Sequence, residues 1–332
     1  MGSTLLTLVQ TACAELGGMA IPTQVVGSTD QTTQQMLALI NAVGADLLSR
    51  KDWTALQTQY IVEVPAALVG TGDTVQGSKT VSNISFDTTS IASNPSLWVV
   101  QGTNIVAYPR VVTAASSIPG SITMDTPATA TGVGVSIIIS KDSYPVPVDF
   151  VAFVDDTQWD RGNRWQLRGP LSPQEDQYLR SGIVALTPRR NYRQLGRNAP
   201  NTNIVQMFRL FPPPGQNDTP GPMVYEYLSS YWAQSTVTPT PGAYSYTTKE
   251  KFTADTDTCI YDDRLMIEGL KYRFWAAKGF DFSVSLANYE KLTEISMARD
   301  GGNPILSLNR RKVPYLITSA SVADGFFPGR GP

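Results

Sequence analysis

Between Thr58 and Ser143 the chain carries only three basic residues, Lys79, Arg110 and Lys141, while Val, Ile, Thr, Ser and Gly dominate. Short β-type runs recur inside this stretch: Tyr60–Val64, Trp98–Val100, Ile105–Tyr108, Ser121–Met124 and Val135–Ile139. Clusters of Gly, Asn, Pro and Asp separate them at turn-like intervals. The texture predicts a small antiparallel β domain inserted between helical pieces.

The flanking segments read as helices. Leu5, Leu8, Val9, Ala12 and Leu16 recur at helical spacing over residues 3–16, Ser3 or Thr4 can cap the start, and Gly17-Gly18 stops the run. A second helix is predicted from Asp30 to Arg50, with Met36, Leu37, Ile40, Val43, Leu47 and Leu48 on its apolar face and Trp53 as the plug of the hairpin. After Tyr144-Pro145-Val146-Pro147 a helix is expected over 149–160. Another is opened by Ser172-Pro173-Gln174-Glu175, which carries the Ser cap, first-turn Pro and third-position Glu of a helix start. Strands are expected at Val205–Phe211 and Met223–Ser229, and helices from Tyr261 to Gly279 and again from Phe282. The fold class is therefore α+β: a helical bundle core, an inserted antiparallel β domain, a second small β element and an extended C-terminal arm. The expected division is a helical hairpin at 1–57, the β domain at 58–143, a helical core at 144–299 with a β element at about 200–235, and the arm at 300–332.

The chain has no histidine. That removes Ser–His–Asp and Cys–His nucleophiles, histidine metal sites and histidine bases. Cys13 and Cys259 are its only cysteines; they form no CxxC and read as buried small apolar residues in a reducing compartment. Charged residues are 16% of the chain and the net charge is −2, which argues against a general nucleic-acid binder. No run reaches the roughly 18 apolar residues of a membrane span, and Met1–Leu5 lack the basic start of a signal peptide. The adjacent carboxylates Asp155-Asp156, Glu175-Asp176 and Asp262-Asp263 suit dipole compensation at helix starts better than a glycosidase pair facing across a cleft. Asp255-Thr256-Asp257 lacks the further acidic ligands of a calcium loop. Tyr272 and Phe274-Trp275 read as core. The expectation is a protein without enzymatic activity, cofactor, metal or small-molecule substrate.

Three stretches resemble the head-to-tail adaptor (tail accessory factor) family of short-tailed bacteriophages. The first is Thr4–Val9 and Ala14–Gly17 with the Leu-rich helix ending in Asp52-Trp53. The second is Pro147–Phe150, Trp159–Arg161 and Leu167–Glu175. The third runs from Phe252–Asp257 through Arg264-Leu265, Gly269-Leu270 and Ala276–Asp281 to Tyr289-Glu290. Together they cover roughly half the chain, and the 58–143 insert lies outside them. The resemblance implies a homo-oligomeric ring, commonly of twelve copies, seated below the portal and made in the host cytoplasm for the neck of the virion. It implies the portal protein and downstream nozzle, tube or fibre proteins as partners, and passing DNA as a transient, non-specific contact. The alternatives are a particle-borne cell-wall hydrolase, or another tail component such as a nozzle or tube protein.

Two regions are the candidate interaction surfaces. Trp159, Asp160, Arg161, Arg164, Trp165 and Arg168, with Arg189, Arg190 and Arg193, combine the Trp and Arg side chains that favour interfaces. Their structural reading is an Asp160–Arg ion pair fixing a helix end. The longer basic run Arg161–Arg197 admits a phosphate-facing collar or a complement to acidic protein surface; protein contact is favoured, because tight phosphate binding hinders a tube through which DNA slides. In the arm, Ile305, Leu306, Leu308, Tyr315, Leu316, Phe326 and Phe327 stand among Gly and Pro, with Arg310 and Arg311 between them. Apolar residues without a core of their own suit docking on a partner chain, with the portal as first candidate.

Overall fold

Among the described residues three sheets and a barrel accompany six helices, and the strand pairs that are registered residue by residue are antiparallel. The computed structural model describes residues 2–106, 109–117, 120–180, 189–196, 206–216, 218, 221–236 and 246–301. In chain order the elements begin with α1 (Leu5–Leu16), α2 (Gln31–Arg50), β1 (Gln57–Val62), β2 (Leu68–Thr74), β3 (Thr80–Ser82), α3 (Thr89–Ser93), β4 (Trp98–Gly102), β5 (Arg110–Ser117), β6 (Gly120–Met124) and β7 (Gly132–Lys141). Then come β8 (Ser143–Pro145), β9 (Phe150–Phe153), β10 (Trp159–Asp160), β11 (Trp165–Gln166), α4 (Pro173–Arg180), β12 (Asn191–Leu195), β13 (Met207–Phe211) and β14 (Met223–Ser229). The last are β15 (Ala233–Thr236), β16 (Tyr246–Lys249), β17 (Thr258–Cys259), α5 (Asp263–Lys278) and α6 (Ser283–Arg299). The chain is thus mixed α and β, and it divides into two compact units.

The first unit comprises 1–58, 149–153 and 227 onward. Each of its principal helices starts where the sequence supplies an acceptor. The Asp30 carboxylate accepts from Thr33 N–H at 2.8 Å, and Asp262 accepts from Arg264 N–H at 2.8 Å. Gly279, in the left-handed region at φ 76°, ends α5. Leu5, Leu8 and Val9 of α1, Met36, Ile40 and Leu47 of α2, and Leu265, Met266 and Leu270 of α5 are buried in one core with Trp232 and Tyr289. Trp53 is buried there too and donates its ring N–H to Leu47 O at 2.7 Å, closing the hairpin. Two helix positions pack closely because they lack a side chain. A Cβ on Gly44 would lie 2.2 Å from the Trp232 ring, and one on Gly269 would lie 2.6 Å from Val43.

The second unit comprises 59–148 and 154–226. Strands β2, β3, β6, β5, β4 and β7 close into a barrel in that order, which leaves no free edge. Val81, Val100, Val112, Ile122, Ile137 and Ile139 fill it. A three-stranded sheet β12–β13–β8 and the path β1–β14–β10–β11 complete the unit, to which β14 gives its first four residues.

The helix expected over 149–160 is absent. Strand β9 occupies 150–153 and β10 occupies 159–160, and Asp156 between them holds φ 61°. The apolar run Phe150-Val151-Ala152-Phe153 is short enough to satisfy either period. Its aromatic and β-branched content, with partners on β14, decides for strand.

Candidate interaction surface

The segment Trp159–Gln166 is a hairpin. Strands β10 and β11 pair Trp159 with Gln166 and Asp160 with Trp165, and β10 also pairs with β14 through Trp159↔Val224 and Asp160↔Met223. The turn Arg161-Gly162-Asn163-Arg164 is braced from within the unit. Asp160 accepts from Asn163 N–H and from the Asn163 side-chain amide, each at 2.9 Å, and from Arg190 Nη1 at 2.9 Å. Arg190 also pairs with Asp218. Arg161 N–H donates to Pro222 O at 3.1 Å. Gly162 and Gly221 pass so closely that a Cβ on Gly162 would meet Gly221 backbone at 2.6 Å. Arg164 holds φ 58°, in the left-handed region.

The nine hairpin-region residues singled out by sequence therefore divide. Asp160 and Arg190 are buried, each side chain 3% exposed, and form the brace. Arg193 is bound to Asp176 at 2.5 Å, and Arg189 donates Nε–H to Gln166 O at 3.0 Å. Arg161, Arg164 and Arg168 are exposed, and among the described residues none of their guanidinium groups has an acidic partner. Trp159 is 37% exposed beside them, and Trp165 is half-buried. The Asp160–Arg pair fixes a hairpin turn, and no helix end is present at this position. The arm residues Ile305, Leu306, Leu308, Arg310, Arg311, Tyr315, Leu316, Phe326 and Phe327 lie outside the described residues.

Sequence reasoning missed the second charged cluster of the same unit. Asp176 accepts from Arg180 Nε at 3.2 Å and lies 3.8 Å from Arg209 Nη1, in addition to its bond from Arg193. Asp142 accepts from Arg180 Nη2 at 3.0 Å and lies 3.7 Å from Arg209 Nε. The two carboxylates are 1% and 2% exposed. Burial pushes the Arg209 guanidinium below its ordinary range, against the favourable fields of Asp142 and Asp176. The only visible signal was Asp142 itself, an acid ending a stretch poor in charge.

The other paired carboxylates are also engaged. Glu175 and Ser172 exchange bonds as a capping box, Ser172 N–H to Oε2 at 2.9 Å and Glu175 N–H to Oγ at 3.2 Å. Asp263 accepts from Ser3 N–H at 3.0 Å and from its hydroxyl at 2.6 Å. In the 249–259 loop, Asp257 accepts from Thr253 N–H and Ala254 N–H at 2.8 Å each and from Lys249 Nζ at 2.9 Å. Asp255 accepts from Val26 N–H at 2.7 Å. Among the described residues no group of three His, Cys, Asp or Glu is placed to hold a metal ion, and no helix is long and apolar enough to cross a membrane. No protein-family model matches the chain, and no curated protein matches it.

Proposed function

We propose that this chain is a structural subunit of a ring-shaped head-to-tail adaptor in a tailed bacteriophage particle. It works by binding, without catalysis or cofactor, and several copies, twelve in the family it resembles, surround the path of DNA from portal to tail. Its helical unit is the core of the subunit, and residues 300–332 dock on the portal. The observation that carries this reading is the braced hairpin inside the central stretch of resemblance, which presents Arg161 and Arg164 beside Trp159 on a turn held by Asp160 and Arg190. A turn whose backbone is already braced loses little freedom on binding, so its arginines suit an acidic surface on a neighbouring copy or on the portal. Passing DNA meets the same groups only transiently, since a few guanidinium groups give a weak, salt-sensitive attraction.

Single-particle imaging of the assembled particle tests the ring: rotational symmetry about the neck is expected, and a lone copy refutes the reading. A pull-down with the portal tests the partner. Direct binding that weakens on deletion of 300–332 is expected; no binding to the portal removes the adaptor role.

A further inference from the structure

The helical unit has an open cleft of about 340 Å³ where α1 ends, α2 begins and α5 ends. That lies at the lower end of the roughly 300–1,000 Å³ of small-ligand clefts. Met19, Phe274, Trp275 and Phe280 give it an apolar lining, and Lys278 adds a cation. Gly17 and Gly18, at φ 69° and 70°, have no heavy atom within 4 Å of where a side chain would begin, so one wall is open. Phe280 is 64% exposed, and Ile21, Phe282 and Val284, close to lining residues in sequence, are exposed as well. Isolated exposed apolar residues are ordinary, but an exposed aromatic in the lining of an apolar cleft marks a surface suited to being covered. Among the described residues Lys278 makes no ion pair within 4 Å; its ammonium sits 5.3 Å from the Phe274 ring centre, and its field reaches the Asp30 carboxylate at the start of α2.

We propose that this cleft receives residues 324–328 of a second copy of the same chain, with Phe326 and Phe327 in the apolar lining and Asp324 paired to Lys278. The match is chemical. The 302–332 segment holds one acidic residue, Asp324, and its one adjacent aromatic pair, Phe326-Phe327, follows two positions later. The cleft offers aromatic faces and a cation in return. The segment has length to leave its own chain: Asp324 lies 23 residues beyond Gly301, a stretch that extends to about 75 Å, about three times the length of α6. The inference rests on the homo-oligomeric part of the reading above. A cleft on one copy filled by a segment of the next is a heterologous contact, which closes into a ring when the rotation between copies divides the circle. In this assignment Phe326 and Phe327 leave the portal-docking part of the arm, which keeps the apolar and basic residues 305–316.

Cysteines at Phe280→Cys and Gly325→Cys in the full chain test this directly, because Cys13 and Cys259 are buried and do not compete. Mild oxidation gives a ladder of reducible covalent oligomers whose yield rises with protein concentration. A concentration-independent internal disulfide in a single chain overturns the proposal, and so does the absence of any cross-link. In the cysteine-free-surface parent, sedimentation gives a second measurement. Phe326→Ser with Phe327→Ser weakens self-association by about tenfold to hundredfold. Lys278→Glu weakens it about tenfold, and adding Asp324→Lys restores it; failure of that restoration overturns the assigned pair. The two proposals fail separately. A ladder without portal binding sinks the adaptor reading alone, and portal binding without a ladder sinks this one alone.

Discussion

Replacing Asp176 by Asn keeps the volume of a side chain that is 1% exposed and removes its charge. Three arginines then lose one buried anion. Arg180 and Arg193 lose their bonds at 3.2 and 2.5 Å, Arg209 loses a field at 3.8 Å, and Asp142 is left beside Arg180 and Arg209. Removing one partner of a buried pair costs about 3–5 kcal/mol. The arginines are 12–18% exposed and regain some water, so the lower end applies, about 3 kcal/mol. For a unit of this size the melting temperature falls by about 6–12 °C. Arg193→Gln acts differently, because two arginines on two carboxylates remain balanced; its cost is about 1 kcal/mol. In the double variant the two effects are less than additive, since each removes half of the same bond. Urea unfolding followed by far-UV circular dichroism measures all three. The reasoning is refuted if Asp176→Asn lies within about 0.5 kcal/mol of the parent, or if Arg193→Gln costs as much as Asp176→Asn.

On the braced hairpin, Arg161→Glu with Arg164→Glu leaves thermal stability within about 0.5 kcal/mol but weakens binding to the portal or to other copies at least about tenfold by surface plasmon resonance; unchanged binding removes this surface from the interface. Arg190→Ala acts first on stability, lowering it by about 3 kcal/mol because Asp160 loses its charge partner, which calorimetry detects. Gly44→Ala drives a methyl into the Trp232 ring and costs about 1–3 kcal/mol; a neutral result in urea unfolding shows that α2 moves aside freely. Burial pushes the Cys259 thiol up to about 12, so neither it nor buried Cys13 titrates with a thiol reagent at pH 8 until the protein is denatured; rapid labelling of the native chain contradicts the packing. Burial raises the Asp257 carboxyl, but the bonds from Lys249, Thr253 and Ala254 outweigh it and hold the group below its ordinary 3.8. A depressed folded value stabilises above the unfolded one and is lost as pH falls through the folded one. The stability gap between the parent and Asp257→Asn therefore narrows from pH 5 to pH 2 in urea titrations, and a gap that stays constant excludes the assignment.

The helices were largely legible because their signals are local. Asp30, Asp262 and the Ser172–Glu175 pair cap the elements they precede, and Gly279 stops α5 where a left-handed residue is needed. Strand β14 was legible for a related reason, since Met223–Ser229 is an apolar, aromatic run bounded by turn residues. Strand β2 was not. Its sequence, Leu68-Val69-Gly70-Thr71-Gly72-Asp73-Thr74, has two glycines and an aspartate, and its conformation is imposed by pairing with β7 from Leu68↔Ile139 to Gly72↔Val135. The glycines have a packing role there: a Cβ on Gly70 would lie 2.4 Å from Ser85 Oγ. Propensity argues against a strand that tertiary pairing requires.

The basic run shows why a surface is harder to read than a helix. Between Arg161 and Arg197 the sequence offers few acids, so the arginines look like one cationic stripe. The fold brings Asp142, Asp160 and Asp218 from outside that window to join Asp176 within it, and these four carboxylates bind Arg180, Arg190, Arg193 and Arg209. Four charges on four cancel at long range. What remains for a partner is Arg161, Arg164 and Arg168, held on and beside a turn whose own rigidity comes from one of the neutralised pairs. The buried arginines thus act on binding through the position of the exposed ones. That places Arg190 beneath the interaction surface, and a variant there changes affinity only as far as it loosens the turn.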